Sequence, residues 1–501
     1  MLATIWSATL HGVDGRRVEV EVQVSGGLPS FTVVGLPDTA VRESRDRVRA
    51  AVLSSHLPWP TKRITVNLAP SGLRKSGSGL DLPVAIGVLV AAEALAEVHV
   101  ADTGFVGELG LDGSLRPVAG VVPMVGALGT DRVVVPLACV AEARLVSPRV
   151  HGASCLEEAV AALQGRRRWP EAPCPVVTPT QGVPDLADLH GQPLGRRALE
   201  VAAAGAHHLL LVGPPGSGKT MLATRLPGLL PPLERHEALE VTRIHSAAGV
   251  PVPGGALADR PPFRAPHHGA TEVSLVGGGS AWLRPGELSL AHCGVLFLDE
   301  LAEFPAPVLD ALRQPLEEGV VRVRRARGGV DLPARVLLVG AMNPCPCGKG
   351  TLLGACRCTD AVRARYQRRL SGPLLDRFDL AVALSPPDSA DLLGGAPGEP
   401  TAVVAARVRA ARQAATGRGV RANAELRADW LRHGCPLSAP VAAMLERHLR
   451  SGGLSARGLH RVWRVARTIA DLDDPARPIT ELHMAEALAL RAARQSLLPA
   501  V

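Results

Sequence analysis

The sequence is poor in aromatic residues, which make up 3% of its 501 residues. A surface that holds single-stranded nucleic acid by stacking its bases needs several exposed aromatic rings. We therefore expect any nucleic-acid partner to be bound mainly through its phosphate backbone. Lysine is also scarce, because only four of the 55 basic residues are lysines. A lysine kept at a functional position is therefore informative, since it supplies a compact point charge.

The chain also has no long hydrophobic run. Its most apolar window, residues 83–92, is too short to span a bilayer. The first residues lack the basic region and apolar core of a secretory signal, so we expect a cytoplasmic protein. Nine cysteines are present, and four of them lie between Cys345 and Cys358. This pattern predicts reduced thiols with one local cluster rather than a disulfide framework.

The composition is that of a globular protein with enough apolar residues to build several cores. Hydrophobic residues account for 47% of the chain, and its length predicts two to four domains. The net charge of +8 suggests a polyanionic partner, although the excess is modest.

One stretch combines the features of a phosphate-binding loop. The apolar run Leu209–Val212 predicts a buried strand, and a Gly-x-x-x-x-Gly-Lys-Thr segment follows it and opens a helix at Met221. Glycines allow backbone N–H groups to turn toward an anion, and the positive end of the helix adds to that field. We predict that ATP is bound by Gly213, Pro214, Pro215, Gly216, Ser217, Gly218, Lys219 and Thr220. Within this loop Lys219 would reach the β- and γ-phosphates, and the Thr220 hydroxyl would hold Mg²⁺.

Two later apolar segments end in polar side chains. Residues 294–298 are followed by Asp299, which suits Mg²⁺ held through its water shell, and by Glu300, which suits a base that polarises the attacking water. Residues 336–342 end at Asn343, whose amide can orient that water near the γ-phosphate. A turn residue at the strand end is the alternative for Asn343.

Residues 319–335 predict a cationic hairpin that turns at Arg327-Gly-Gly329. Valines and arginines alternate along its first strand, so one face is apolar and the other cationic. The single acid, Asp331, leaves an excess of positive charge that suits contact with DNA phosphates. A solvated or inter-subunit edge is the alternative. The predicted DNA-binding residues are Arg322, Arg324, Arg325 and Arg327.

The local cysteine cluster consists of Cys345, Cys347, Cys356 and Cys358. Four thiols within a short loop can close a tetrahedral Zn²⁺ site, although their one-residue spacings are tighter than usual. Four sulfur ligands would leave no open coordination position, so we expect any zinc to be structural.

The chain divides into a strand-rich domain at 1–165, a Pro-rich linker at 166–190, an ATPase core at 191–390 and a helical domain at 391–501. The linker carries three consecutive arginines before its prolines, which predict a solvated domain edge more than a contact with nucleic acid. In the first domain we predict strands at 17–24, 31–34 and 64–68, and helices at 38–54, with Asp38 as N-cap, and 82–94.

Segments 73–85 and 107–120 resemble the proteolytic domain of Lon-type proteases, a family that uses a Ser-Lys pair. The place of the nucleophile falls on Gly79, beside Ser78, and Val122 fills the place of the lysine. The resemblance implies a Lon-protease-like (S5-like) α+β domain that lacks the catalytic Ser-Lys pair.

The phosphate-binding loop, the strand-terminal acids and Asn343 together resemble the AAA+ ATPases. Five segments look like the ATPase subunit of magnesium chelatase, namely Phe263–Gly277, Arg284–Leu288, Asp299-Glu300, Asn343-Pro344 and Leu374–Phe378. With the Lon-like domain in front, the whole chain resembles the YifB/ComM family of magnesium-chelatase-like AAA+ proteins. The resemblance implies an α/β P-loop core with a helical lid, ATP and Mg²⁺ as cofactors, and a homohexamer.

The resemblance also implies roles for two arginines. Arg377 would be the arginine finger that reaches the γ-phosphate of a neighbouring subunit, and a bridge to Asp376 or Asp379 within one chain is the alternative. Arg457 would sense the γ-phosphate in its own subunit. It follows the N-cap Ser455 in a first helical turn, where a cation is disfavoured, and a plain surface arginine is the alternative. The lid helices are predicted at 404–415, 440–450, 455–470 and 480–494.

The resemblance to ComM implies a motor on single-stranded or branched DNA, driving branch migration or helicase action in recombination or natural transformation. Residues 263–290 look like an insertion that such ATPases point toward the ring pore. One alternative is the ATPase engine of a magnesium-chelatase-type complex, although that engine lacks the Lon-like domain. A second alternative is an ATPase that remodels protein clients.

Overall fold

The computed structural model describes residues 1–75, 77–172, 182–252, 255–279, 283–325, 328–349, 356–394 and 398–493. Much of the predicted linker and Arg327 of the predicted hairpin lie outside these ranges. Within them, no helix combines the length and the apolar character needed to cross a membrane.

The first unit is built on a seven-stranded mixed sheet. The strands of the whole unit are β1 (Leu2–His11), β2 (Asp14–Ser25), β3 (Ser30–Val34), β4 (Arg63–Ala69), β5 (Thr103–Phe105), β6 (Glu108–Leu109), β7 (Leu115–Arg116), β8 (Arg132–Pro136) and β9 (Val150–Ala153). The order is β3-β4-β2-β1-β5-β8-β9, and β6 and β7 form a separate small hairpin. The pairs β1·β2 and β2·β4 are antiparallel, and the other neighbours in the large sheet are parallel.

Strict alternation places one side of β2 in the core of this unit, where Val18, Val20 and Val22 are fully buried. The helices that cover the sheet are α1 (Thr39–Ser54), α2 (Asp81–Ala91), α3 (Val121–Leu128), α4 (Val140–Ala143) and α5 (Leu156–Leu163). The predicted cap of α1 is confirmed, because Asp38 accepts a hydrogen bond of 2.9 Å from the backbone N–H of Val41.

The second unit contains a five-stranded parallel sheet. The strands of the whole unit are β10 (Leu209–Val212), β11 (Phe263–Arg264), β12 (Gly277–Gly278), β13 (Arg284–Pro285), β14 (Val295–Leu298), β15 (Val320–Arg325), β16 (Gly328–Pro333), β17 (Leu337–Met342) and β18 (Leu380–Ala383). The pairs β12-β13 and β15-β16 form separate two-stranded sheets. The order in the large sheet is β11-β14-β17-β10-β18, and every neighbouring pair is parallel. The strands therefore share a carboxyl edge, where they all end, and an amino edge, where they all begin.

Helices cover both faces of this sheet. They are α6 (Pro193–Gly205), α7 (Lys219–Leu229), α8 (Arg235–Ala248), α9 (Glu272–Val276), α10 (Glu287–Leu290), α11 (Ala306–Ala311), α12 (Arg313–Glu318), α13 (Asp360–Gln367), α14 (Gly372–Leu375) and α15 (Ser389–Gly394). The three predicted strands β10, β14 and β17 are confirmed, and all three are completely buried.

The C-terminal part is helical, with α16 (Thr401–Gly417), α17 (Ala428–Gly434), α18 (Ala439–Arg450), α19 (Ala456–Asp473) and α20 (Glu481–Ala489). The four predicted helices are present, and α17 was not predicted. Helix α19 lies along the amino edge, where Thr468 Oγ1 is 2.8 Å from His207 Nε2 just before β10. The end of α20 meets the edge strand, because Ala381 donates a backbone hydrogen bond of 2.8 Å to Leu490.

The predicted cationic hairpin is formed by β15 and β16, which pair antiparallel. The prediction of its turn was wrong, since Arg325 pairs with Gly328 and Arg324 with Gly329, so both glycines belong to the second strand. The first unit contacts this hairpin at the turn between β1 and β2. There a Cβ on Gly12 would collide with a methyl group of Val330.

Candidate active site

The phosphate-binding loop follows β10 at the carboxyl edge, and its shape depends on three glycines. Gly216 and Gly218 have φ values of +79° and +81°, which residues with a Cβ rarely adopt. At Gly213 a Cβ would lie 2.6 Å from Ser217 Oγ and 2.8 Å from the carbonyl oxygen of Leu384. The backbone can therefore close tightly ahead of α7, whose first turn points its N–H groups into the loop.

Lys219 lies inside this loop and is almost completely buried. Its ammonium donates hydrogen bonds to the carbonyl oxygens of Gly213 at 2.7 Å and Pro214 at 2.9 Å, and a longer one to Asn343 Oδ1 at 3.3 Å. Burial lowers the pKa of Lys219, and the charge of Asp299 acts in the opposite direction. A buried ammonium held mainly by neutral oxygens is suited to take an anionic partner.

The loop contains a second polar group that calls for a partner. Ser217 Oγ is buried and has no hydrogen-bond partner among the residues that the structure describes. Buried hydroxyls are nearly always hydrogen-bonded, so this one is consistent with a loop built around a phosphate. The loop therefore fits a phosphate group on grounds independent of its sequence pattern.

The carboxyl edge brings the predicted Mg²⁺ ligands together. Thr220 Oγ1 donates a hydrogen bond of 2.8 Å to Asp299 Oδ2, across 79 positions of sequence. A hydroxyl and a carboxylate in contact beside the phosphate loop are oxygen donors of the kind that Mg²⁺ prefers. These two residues would hold the ion that neutralises charge on the phosphates.

Glu300 adopts a left-handed backbone conformation, with φ at +51°. Such a conformation in a residue with a long side chain costs of order 1 kcal/mol and is often found at functional sites. Its carboxylate is half-exposed and lies 2.9 Å from Nδ1 of His268. His268 belongs to the 263–290 insertion, and its ring lies 4.0 Å from that of His267 and edge-on to Phe304. The predicted base is therefore held by an imidazole.

The strand topology explains why three distant polar residues converge. Strand β17 lies between β10 and β14, so Asn343 at its carboxyl end is placed between the phosphate loop and the acidic pair. The contact of Asn343 with Lys219 fixes its amide at the loop. The phosphate loop, the acidic pair and Asn343 thus share the carboxyl edge of the sheet.

Arg377 lies at the other edge, just before β18. Its side chain is only 10% exposed and makes two parallel hydrogen bonds to Glu317, of 2.6 and 2.7 Å. The nearby Asp379 is paired with Arg461 at 2.5 Å instead. Burial works against ionisation of Asp379, but Arg461 and the histidines His207 and His208 outweigh it and hold the pKa of this carboxyl well below its usual range.

The sequence predicts that Arg457 senses the γ-phosphate in its own subunit, but the structure places the helix that carries it, α19, along the amino edge of the sheet. The cap of this helix is as predicted, since Ser455 Oγ accepts from the N–H of Gly458 at 3.1 Å. One turn after Arg457, however, Arg461 bonds to the carbonyl oxygen of Arg377 at the amino edge. Arg457 is exposed there, and no described contact joins it to the phosphate loop. A cation in the first turn of a helix does not by itself indicate which edge of the sheet the helix lies against.

The hairpin has the two faces that its alternation predicts. Val321 is buried, while Arg322 and Arg324 are on the exposed face. Arg324 pairs with Asp331 at 2.6 Å, and Arg322 pairs with Glu318 at the end of α12. Arg325 is the last residue of β15, and the predicted contact Arg327 lies outside the described residues. Two of the arginines predicted to contact DNA, Arg322 and Arg324, are therefore paired with acidic residues of their own chain in this structure.

The four clustered cysteines converge directly after Asn343. All four thiols lie within 4.8 Å of one another. Cys356 Sγ is 3.7 Å from both Cys345 Sγ and Cys347 Sγ, and the latter two are 3.3 Å apart. Tetrahedral zinc with bonds of about 2.3 Å places its sulfurs about 3.8 Å apart, so the donor set fits Zn²⁺. The distances are too long for disulfide bonds.

The cysteine loop also touches the phosphate loop. Gly348 has a φ of +74°, and a Cβ at this position would lie 2.6 Å from the ring of Pro215. The two loops can approach this closely only because Gly348 has no side chain.

The sequence pattern does not mark His268 or Glu317 as functional residues. Each meets its partner across the fold, and Glu317 lies 60 positions from Arg377. His268 does fall in a segment that carries the family resemblance, but nothing in that pattern pairs it with Glu300. For Glu317 the sequence holds no signal.

Comparisons with known proteins show the family to which the chain is similar. The family model described as magnesium chelatase, subunit ChlI, matches residues 185–392, and its C-terminal counterpart matches residues 398–491. A further model, described as subunit ChlI of Mg-chelatase, matches residues 20–138.

Three full-length relatives are similar over nearly the entire chain. Competence protein ComM of Haemophilus influenzae is 44% identical and YifB of Escherichia coli is 43% identical, and each comparison covers 98% of this chain and 97% of the relative. An uncharacterized protein of Mycobacterium tuberculosis is 46% identical over 94% of this chain and 95% of its own length.

Proposed function

Because the chain belongs to the YifB/ComM family of magnesium-chelatase-like AAA+ ATPases, we propose that it is a homohexameric motor that hydrolyses ATP to move DNA. The output we favour is branch migration or helicase action on single-stranded or branched DNA, during recombination or natural transformation. The carboxyl edge of the parallel sheet would be the site of ATP hydrolysis.

In this proposal each residue of the carboxyl edge has one task. The phosphate loop from Gly213 to Thr220 holds the triphosphate, and the Lys219 ammonium moves from the loop carbonyls to the β- and γ-phosphate oxygens. Thr220 and Asp299 hold Mg²⁺, which supplies charge neutralisation when bound. Glu300 accepts a proton from the attacking water, and Asn343 orients that water.

The position of Arg377 supports its action on a neighbouring subunit. Strand β10 has four residues and parallel β18 is in register with it, so about 13 Å of strand separate Arg377 from the phosphate loop of its own chain. That distance exceeds the reach of an arginine side chain. A finger that works in trans requires a ring in which the amino edge of one subunit faces the carboxyl edge of the next. Arg457 would then also serve the neighbour's nucleotide, from the same edge as Arg377.

The observation that best supports DNA as the substrate is the cationic face of the hairpin. Arg322 and Arg324 alternate with the valines of the apolar face, so the strand fixes their direction and leaves their side chains exposed. Phosphates could replace Glu318 and Asp331 as partners, because half-exposed ion pairs contribute little stability. The name of the relative from Haemophilus influenzae, a competence protein, agrees with a role on incoming DNA.

The test replaces Arg322, Arg324 and Arg325 by Ala. We expect basal ATPase activity to persist, because the hairpin is not part of the ATP site. DNA affinity should weaken for every sequence alike, and the slope of log affinity against log salt should become shallower, by up to about 0.7 to 0.9 for each phosphate that the variant no longer neutralises. Fluorescence anisotropy between about 50 and 300 mM salt measures both quantities.

The matched control removes three exposed arginines from the first unit, Arg42, Arg45 and Arg49 of α1. It changes the net charge by the same amount and leaves the hairpin intact. An unchanged slope in the hairpin variant, or an equal change in the control, would remove the hairpin from DNA binding. A chelatase engine or a protein remodeller predicts no such salt signature.

We further propose that the four cysteines bind one structural Zn²⁺. The ion would cross-link the loop that follows Asn343 and keep it against Pro215, so that the phosphate loop and the water-orienting amide keep their relative positions.

In the first unit, Ser78 hydrogen-bonds to Glu108, and the buried Val122 stands where a lysine would be needed. We therefore propose that this Lon-like domain serves as a scaffold without protease activity.

A further inference from the structure

We infer that Glu317 restrains the arginine finger until the hairpin takes up a polyanion. This inference rests on the proposed function, in which Arg377 acts on a neighbouring subunit and the hairpin contacts DNA. It concerns a residue on α12, which lies between these two elements.

Arg377 is held by a carboxylate of its own chain. Both terminal nitrogens of Arg377 donate to the two oxygens of Glu317, at 2.6 and 2.7 Å. Glu317 is 55% exposed whereas Arg377 is 10% exposed, so the carboxylate covers the outer end of the guanidinium. The remaining nitrogen, Nε, is buried and has no hydrogen-bond partner among the described residues. A γ-phosphate that approaches from another subunit therefore meets Glu317 before it meets the finger.

Glu317 is connected to the hairpin by a short junction. Helix α12 ends at Glu318, and β15 begins at Val320, so one residue separates the helix from the strand. That residue, Gly319, has a φ of +68°. A Cβ there would lie 2.7 Å from Arg335 Cγ. The junction is therefore compact, and a movement of the hairpin base is passed to the last turn of α12.

Two adjacent carboxylates in the last turn of α12 pair with different arginines. Glu317 holds the finger, while its neighbour Glu318 pairs with Arg322, one of the predicted DNA contacts. A phosphate that binds Arg322 would compete with Glu318 and free the end of α12 from the hairpin. The ion pair of Glu317 with the finger then loosens, and a γ-phosphate, which offers more charge, takes over the guanidinium. DNA occupancy and ATP hydrolysis are thereby coupled through two adjacent carboxylates.

The test is Glu317→Gln in the full-length ring, assayed for ATPase activity with and without four-way DNA. Without DNA, we expect the rate of hydrolysis to rise roughly two- to fivefold, which is the factor that corresponds to the free energy of a half-exposed ion pair. The stimulation by DNA should fall toward one, because the restraint is already absent. The rise must disappear when Arg377→Ala is added, since a general loosening of the fold would not depend on the finger.

The matched control is Glu399→Gln. Glu399 is also 55% exposed and makes a two-pronged pair with Arg407, at 2.8 Å for both bonds, away from the finger. It should leave the basal rate and the DNA stimulation unchanged. A basal rate that falls in Glu317→Gln, as it does in Arg377→Ala, would overturn the inference, because Glu317 would then position the finger rather than restrain it.

Other outcomes separate this inference from the proposed function. If Arg377→Ala hydrolyses ATP at the wild-type rate, the finger itself has failed and the restraint falls with it. If DNA stimulates neither wild type nor variant, DNA has failed as the substrate, and a finger-dependent rise in Glu317→Gln still supports the restraint. Retention of the full wild-type stimulation in Glu317→Gln would overturn the coupling to the hairpin.

Discussion

Mixing of two inactive variants tests whether Arg377 works across a subunit interface. Arg377→Ala removes the finger and keeps the phosphate loop, and Lys219→Ala does the reverse. Each variant alone should lose nearly all ATPase activity. In a mixed ring, however, an Arg377→Ala subunit can face a Lys219→Ala neighbour, and that interface has both an intact loop and an intact finger.

The size of the rescue follows from the fraction of subunit interfaces that combine an intact loop with an intact finger. In a random one-to-one mixture, the chance that a given interface pairs an intact loop with an intact finger is about one half times one half, or about one quarter. We therefore expect up to about a quarter of the wild-type rate per subunit. Cooperation between neighbouring sites would lower this value without abolishing it.

The assay is steady-state ATP hydrolysis after the variants have been mixed under conditions of subunit exchange. Exchange itself is followed by energy transfer between wild-type subunits that carry different dyes. If exchange is complete and the mixture stays as inactive as its parts, Arg377 does not act in trans. The structure would then require Arg377 to leave Glu317 and reach its own phosphate loop, across about 13 Å of strand.

Three further predictions concern the carboxyl edge and the cysteine cluster. Glu300→Gln should keep ATP binding and slow turnover by about 10²- to 10⁴-fold, because only the water-polarising group is lost, and a wild-type rate would remove Glu300 from this role. Ser217→Ala should weaken nucleotide binding by roughly fivefold, as judged by titration with a labelled ATP analogue, because the buried hydroxyl would lose a phosphate partner. An unchanged affinity would show that the hydroxyl does not bind phosphate. Elemental analysis should find about one Zn²⁺ per chain, lost when Cys345 and Cys356 are replaced by Ser. Folded, active protein with no zinc would contradict the metal site.

The sequence by itself determined the features that are local in the chain. The phosphate-binding loop is one continuous segment, and its strand, its glycines and the helix after it could all be read from residues 209–221, although the helix begins at Lys219, two residues before the predicted start. The strands that end at Asp299 and Asn343 were equally clear, because a fully buried strand is a short apolar run and the polar residue after it marks the edge of the sheet. Alternation in β15 likewise predicted a hairpin with one cationic face.

Local pattern failed where the outcome depended on competing conformations or on neighbours in space. The hairpin turn was misplaced because Gly328 and Gly329 suit a turn, whereas pairing with Arg325 and Arg324 draws them into the strand. Gly329 lies close to the side chain of its strand partner Arg324, so this glycine marks a close approach within the strand rather than a reversal of the chain.

Only the tertiary structure decided which edge of the sheet each arginine serves and which partner each charge has. Arg377 and Glu317 are 60 positions apart, and Arg457 owes its place at the amino edge to the docking of α19 on that edge. These arrangements follow from the packing of whole helices, which is set by many apolar contacts distributed along the chain. A charged residue contributes little to that packing, so the residues next to it in sequence do not predict its position in the fold.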